Sequence, residues 1–220
     1  MHIPIKTKNK VHIGNNYYAD PDVIVGYMPG RKIENLTLQL GENFYLRTGT
    51  VIYAGSRIGK NLQTGHNVII REQNTIGDNL KIWNNSVIDY GCIIGKRVRI
   101  HNNVYIAQNT TIEDDVFLSP GVMIANDPHP ICTLCMKGPT IKKGARIGVN
   151  VTLMSHITIG EFALVGAGST VIKDVPPKTV VVGNPARVIK QVDELNCPYN
   201  IVEHPYLNGK DVLMQGIIKQ

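Results

Sequence analysis

Residues 70–88 read Ile70-Arg71-Glu72-Gln73-Asn74-Thr75-Ile76-Gly77-Asp78-Asn79-Leu80-Lys81-Ile82-Trp83-Asn84-Asn85-Ser86-Val87-Ile88. Isoleucine stands at 70, 76, 82 and 88, a strict step of six. Followed outward, the step runs without a slip from Leu40 to Ile124, and fourteen of its fifteen positions are Leu or Ile, Thr64 being the exception. A helix of period 3.6 would not hold that phase, and a flat strand would alternate every two residues. The fourth residue of each hexad is as regular. From Asn43 to Gly121, twelve of fourteen such positions are Gly, Asn or Asp, with Gln73 and Arg97 as the others. These residue types tolerate the positive φ of a sharp corner. The hexad is therefore a short strand followed by a turn. Three of them close a triangular coil of 18 residues with the aliphatic residue inside, and coils stack at roughly 4.8 Å.

The step breaks after Ile124 and resumes at Ile141, Ile147, Leu153, Ile159, Val165 and Val171, with corners at Gly144, Asn150, His156, Phe162, Gly168 and Asp174. Residues 125–140 between the two phases are predicted to leave the prism as a loop, and a loop that long in a tight solenoid is more often functional than accidental. Before Leu40 the period is ragged. After Val182, Asn184 reads as a cap and Pro185 as a first helical residue. The predicted fold is an all-β solenoid, a left-handed parallel β-helix of hexapeptide repeats with one extruded loop and a short C-terminal helix. Its parts are an irregular N-terminal coil (1–39), the β-helix (40–183, with the loop at 125–140), and a C-terminal helix and tail (184–220).

Composition bounds the function. No run of 18 apolar residues exists, so no membrane span is expected. Residues 1–10 lack the apolar stretch of a secretory signal. Four Cys make no disulfide framework for 220 residues, which points to a reducing, cytoplasmic setting. The net charge is +6, and between Ile141 and Lys190 seven bases (Lys142, Lys143, Arg146, Lys173, Lys178, Arg187, Lys190) face only Glu161 and Asp174. That surface would attract a polyanion, or is simply a solvated basic face. Nucleic acid is disfavoured, because no dense Lys/Arg run with interleaved aromatics occurs.

The hexads resemble those of the hexapeptide-repeat acyltransferase superfamily. Ile159-Gly160-Glu161, Gly166-Ala167-Gly168-Ser169, Val171-Ile172-Lys173-Asp174-Val175-Pro176-Pro177 and Gly183-Asn184-Pro185-Ala186-Arg187 are similar to its acetyl-CoA-binding end. Ile100-His101-Asn102-Asn103-Val104, Ile112-Glu113-Asp114-Asp115-Val116-Phe117 and Asn126-Asp127-Pro128 resemble its nucleotide-sugar N-acetyltransferases. The resemblance covers roughly residues 40–195. It implies acetyl-CoA as co-substrate and acetylation of an amino group on a nucleotide-linked sugar. It also implies a homotrimer with the active site between prisms. O-acetylation of a sugar or small molecule is the alternative, and a non-catalytic assembly scaffold a further one.

Acetyl transfer needs a docked donor, a nucleophile, a proton acceptor and oxyanion donors. The small residues Gly148, Gly166, Ala167 and Gly168 would let pantetheine lie against the backbone, although its corner phase already explains Gly168. Lys173 and Arg187 suit the CoA phosphates. His101 is the first candidate base, since imidazole titrates near neutrality, with a plain surface histidine as the other reading. Asp127 is the second, or else a turn residue before Pro128. Asn84, Asn102 and Asn126 are candidate substrate ligands, with Asn84 and Asn102 equally readable as a stacked amide ladder. His129, Cys132 and Cys135 follow H-x2-C-x2-C, a spacing zinc favours, but three ligands are one short of a closed tetrahedral site. No metal is assigned, and reduced thiols are the expected state. A zinc carbonic anhydrase on this fold would need three converging His. His66 and His101 are 35 apart, one short of two coils, with no third His close by.

Overall fold

The computed structural model describes residues 6–7, 11–201, 205–207 and 210–211; the rest of the expected tail lies outside the described residues. Three sheets, of nine, eight and ten strands, form the faces of a prism, and consecutive strands of the chain pass from one sheet to the next. The architecture is the left-handed parallel β-helix read from the hexads. Pairing is parallel and in an 18-residue register, as in Ile70 with Ile88, Ile76 with Ile94 and Ile82 with Ile100. Among the described residues, no helix is long and apolar enough to cross a membrane.

Each two-residue strand from Tyr18–Ala19 to Thr170–Val171 turns its second residue inward. Ile52, Ile70, Ile82, Ile88, Ile100 and Ile106 are wholly buried. At about 25 cal/mol per Å² of apolar surface removed from water, each such side chain contributes roughly 2–3 kcal/mol. Thr64, the exception in the pattern, keeps its place by hydrogen bonding. Its Oγ1 meets Thr50 Oγ1 at 2.9 Å and accepts the Arg47 N–H at 3.0 Å. All fourteen corners from Asn43 to Gly121 have φ between +56° and +85°, Gln73 and Arg97 included. At Arg97 the guanidinium anchors on the next corner through Asp115, at 2.6 and 2.8 Å. In the second phase Gly144, Asn150, His156, Phe162 and Gly168 are left-handed too. Asp174 is not among the left-handed corners; its Oδ1 accepts the Thr158 N–H at 2.7 Å.

At the ends, the N-terminal stretch joins the solenoid and the expected C-terminal helix is corrected. Val11–Ile13, Tyr18–Ala19 and Ile24–Tyr27 already pair with Leu38–Leu40, Tyr45–Leu46 and Val51–Tyr53, the last pair with a register shift between Val25 and Tyr27. The solenoid thus begins before residue 40, and residues 28–37 are a wide corner of it. At the other end the C-terminal helix is a strand. Thr179–Gly183 turns at Gly183 (φ +102°) and pairs antiparallel with Ala186–Gln191, and only Val192–Glu194 form a single 3-10 turn. The cap signals at Asn184 and Pro185 are outweighed by β-branched Thr179, Val180, Val181, Val182, Val188 and Ile189, which favour a strand when a sheet edge is at hand. Residues 125–139 leave the prism between Met123–Ile124 and Thr140–Ile141. The neck is closed by Lys137 N–H donating to Asn126 O at 2.8 Å.

Candidate active site

The prism has three edges, each a column of corners, and the candidate residues fall on two of them. The first edge carries Asn84, His101, Asn102, Gly148, Gly166, Ala167 and Gly168. Backbone bonds fix the column: Asn103 N–H to Asn84 O, Gly121 to Asn102, Asn150 to Pro120 and Gly168 to Val149, at 2.8–3.0 Å. The amides form a ladder. Asn84 Oδ1 accepts the His66 N–H at 2.8 Å, and Asn102 Oδ1 accepts the Asn84 N–H at 3.1 Å. Their oxygens are thus engaged by the chain. The half-buried His101 ring stands edge-on to Phe117, centroids 5.4 Å apart, and its carbonyl accepts Ser86 Oγ–H at 2.7 Å.

Glycines on this edge have unequal reasons. A Cβ at Gly148 would lie 2.6 Å from Ala167 N, and one at Gly166 would lie 2.6 Å from Val182 Cγ1. Coil stacking requires the first, whereas the second is crowded by the Val182 side chain of the terminal hairpin. Ala167 and Gly168 are exposed, and a Cβ on Gly168 would meet nothing within 4 Å, so open small-residue surface begins there. Beside it stands the terminal hairpin, held by Gly183 N–H donating to Ser169 Oγ at 3.0 Å. Within that hairpin Arg187 pairs with Val182, the residue that covers Gly166. Arg187 therefore borders the small-residue surface as an exposed cation. Below His101, at the Trp83 level, lies an open groove of about 660 Å³. Tyr17, Tyr18, Phe44, Tyr45 and Trp83 line it, and Tyr18 and Tyr45 are stacked at 4.5 Å.

The second edge, one face further along the chain, carries Asn126, Asp127 and Lys173. Asp127 is committed to the loop: Oδ1 accepts the His129 N–H at 3.0 Å and Oδ2 accepts the Cys132 N–H at 2.8 Å. The structure does not bring it to His101; the strands Tyr105–Ile106 and Met123–Ile124 lie between the two edges. Lys173, exposed, also lies on this edge rather than beside Gly168. Asn126 is buried, donating Nδ2–H to Gln108 Oε1 at 2.6 Å.

Through Gln108 it joins a cluster the sequence does not announce. Asp89 accepts from Gln108 Nε2 at 2.6 Å, from Tyr105 Oη at 2.8 Å and from Arg71 Nη1 at 2.8 Å. Glu72, whose side chain is wholly buried, pairs with Arg31 at 2.6 Å and Arg71 at 3.0 Å. Arg31 lies over the Tyr90 ring at 3.7 Å. Burial pushes Glu72 up, yet the hydrogen bonds from Arg31 and Arg71 bring it below the usual glutamate range. Burial and the bond to Asp89 push the Tyr105 phenol up to about 12. One signal was in the sequence: Arg71 and Asp89 are 18 apart, so they must stack.

The loop gathers His129, Cys132 and Cys135, whose donor atoms lie within 4.8 Å of one another, the one such group of three His, Cys, Asp or Glu among the described residues. No trio of histidines forms there. His156, a corner residue of the following coil, places its Nε2 at 2.6 Å from Cys135 O.

With this geometry the comparisons fall into place. The bacterial transferase hexapeptide repeat matches at residues 75–108 and 91–126. The resemblance to hexapeptide-repeat acyltransferases is thus borne out. Galactoside O-acetyltransferase of Escherichia coli is 36% identical over 96 residues, 40% of this chain and 47% of that one. A dTDP-3-amino-3,6-dideoxy-α-D-galactopyranose 3-N-acetyltransferase of Aneurinibacillus thermoaerophilus is 50% identical over 48 residues, 22% of this chain and 25% of that one. Soybean serine acetyltransferase, a solved structure, is 35% identical with a TM-score of 0.41, covering 45% of this chain and 40% of that one. The chain spans less than half the length of these relatives.

Proposed function

We propose that the chain transfers an acetyl group from acetyl-CoA to an amino group of a nucleotide-linked sugar. The observation that carries this reading is the first edge. It sets His101 below an open small-residue surface at Ala167 and Gly168, flanked by the Arg187 hairpin, and above an aromatic groove at Trp83. An extended pantetheine suits the small-residue surface, and the Arg187 guanidinium suits its phosphates. A flat base suits the stacked tyrosines of the groove. In the reaction the amine nitrogen bonds to the thioester carbonyl carbon, the C–S bond breaks, and His101 takes the amine proton that ends on the CoA thiol. The named relatives support acetyl transfer, and among them both N- and O-acetyltransferases occur. Galactoside and serine acetyltransferases favour the second reading, transfer to a hydroxyl.

Within this reading the protein is a homotrimer. His101 and the Asp127 loop sit on successive edges of one prism, and a cleft between prisms is where groups from two such edges can meet one substrate. The donor and the four free cysteines support a cytoplasmic setting.

The test is thermal stability with CoA or acetyl-CoA, for wild type and for Lys173→Ala/Arg187→Ala. A ligand at about 100 times its dissociation constant stabilises the folded state by roughly 2.7 kcal/mol. Wild type is expected to shift upward and the double variant less. Amino-sugar nucleotides and simple hydroxyl acceptors are then compared by CoA-thiol release. No shift at millimolar CoA overturns the acyltransferase reading in favour of a scaffold.

A further inference from the structure

We infer that the extruded loop holds a zinc ion on His129, Cys132 and Cys135. The sequence spacing alone left this one ligand short, but the structure adds three observations. First, the imidazole and the two thiols converge, all donor atoms lying within 4.8 Å of one another. Ligands at zinc–sulfur and zinc–nitrogen distances of about 2.0–2.3 Å around a tetrahedral ion stand roughly 3.3–3.8 Å apart, so closure needs only a small contraction.

Second, the backbone of every ligand is pinned by a side chain. Asp127 accepts the N–H of His129 through one carboxylate oxygen and the N–H of Cys132 through the other, at 3.0 and 2.8 Å. His156, from a corner of the following coil, meets the carbonyl of Cys135 at 2.6 Å. The neck is tied by Lys137 N–H to Asn126 O. Such outer bonds are what orient ligands in metal sites.

Third, the loop does not fold around an apolar centre. Ile131 and Leu134, which lie between the ligands in sequence, are 94% and 95% exposed, whereas Cys132 and Cys135 are half-buried. The thiols occupy the inside of the turn that a hydrophobic mini-core would otherwise take. A donor set of two sulfurs and one imidazole suits zinc among the common divalent ions, and magnesium or calcium least.

No fourth Cys, His, Asp or Glu joins the three among the described residues, and both Asp127 oxygens are already engaged. The fourth position is left to water or an incoming donor atom, the pattern of an open zinc site. The ion would fix the loop on the second edge. This inference is independent of the donor site on the first edge, so either can fail alone.

The experiment uses the whole 220-residue chain, purified under reducing conditions without a polyhistidine tag and dialysed against zinc. Elemental analysis of wild type is expected to give one zinc per chain. Replacement by cobalt(II) should give a thiolate-to-metal charge-transfer band and tetrahedral visible bands. Cys132→Ser/Cys135→Ser should lose both metal and band while keeping the β-sheet circular dichroism of wild type, because the loop lies outside the solenoid. Asp127→Asn should keep the stoichiometry but bind about tenfold more weakly against a chromophoric chelator. The inference is overturned if wild type takes up no zinc, if the double serine variant retains it, or if the purified chain instead carries a Cys132–Cys135 disulfide that persists under thiol reductant.

Discussion

Two edges of this prism use the same 18-residue arithmetic to stack opposite charges, with opposite consequences. On the third edge Glu42, Lys60, Asp78, Lys96 and Asp114 alternate in sign, coil upon coil. Lys60 meets Glu42 at 2.7 Å and Lys96 meets Asp78 at 3.8 Å, but the two cations are 59% and 55% exposed. On the second edge Arg71 stacks on Asp89 and adjoins Glu72, and there the carboxylates are 7% and 0% exposed. Water screens the first ladder, and such pairs contribute little. The second cluster has given up its water and depends on its partners. A repeat therefore dictates which charges meet, while burial decides whether the meeting matters.

The comparison breaks first at Glu72. Glu72→Ala leaves Arg31 and Arg71 without their shared carboxylate beside a buried Asp89. It should cost about 3 kcal/mol, read from urea unfolding midpoints at pH 7. Acid should act in the same direction. The Glu72 carboxyl sits below its ordinary value in the folded chain, so its contribution is complete above the usual glutamate value of about 4.3 and is lost as pH falls through the lower folded value. Between pH 5 and 3 the melting temperature of wild type should fall more steeply than that of Glu72→Ala. Parallel slopes would show that the cluster carries no linked proton.

How much of this was legible beforehand differs by layer. The inward Ile and Leu set the strands, and the corner residues set the turns, so the solenoid and the departure of the loop could be read directly. Even Gln73 and Arg97, the two poor corner residues, obey the register because the coil leaves them no other conformation. The C-terminal hairpin was hidden because its cap signals at Asn184 and Pro185 are local, whereas Val180–Val182 and Val188 answer to a sheet edge. The buried cluster was half visible. Arg71 and Asp89 share a column, but Arg31 reaches Glu72 from 41 residues earlier, through a wide corner that periodicity does not describe. Gly166 shows the same limit. Its small size answers to the Val182 side chain of the hairpin, a contact outside the hexad count.

Tyr105 sharpens the comparison at an intermediate level. Its Oη donates to Asp89 at 2.8 Å, and Tyr105→Phe removes that bond while keeping the ring. The cost should be about 1.5 kcal/mol, the size of a hydrogen bond to a charged group. Its alkaline signature runs opposite to that of Glu72. With the phenol pushed up to about 12, the stabilisation is complete below the ordinary tyrosine value of about 10 and is lost as pH rises through the folded value. Ultraviolet titration of wild type minus Tyr105→Phe should show one phenol ionising late. A difference spectrum centred near 10 would mean that Asp89 is open to water and that the two edges differ less than their burial suggests.

The smallest effect is expected at Lys96, and it tests the other half of the contrast. Its ammonium is 3.8 Å from Asp78 and largely solvated. The backbone N–H of Lys96 donates to Asp114 Oδ1 at 2.7 Å, and that bond does not need the lysine side chain. Lys96→Ala removes the exposed charge and leaves the bond. Its melting temperature should stay within about 1 °C of wild type, and raising the salt toward 1 M should erase even that difference. Asp114→Ala removes the acceptor of that backbone N–H as well, so it should lower the melting temperature more than Lys96→Ala, with a part that survives high salt. If the two substitutions prove equal and equally salt-sensitive, the ladder acts through long-range charge alone. The exposed aspartates would then be ornaments of the repeat rather than ties between its coils.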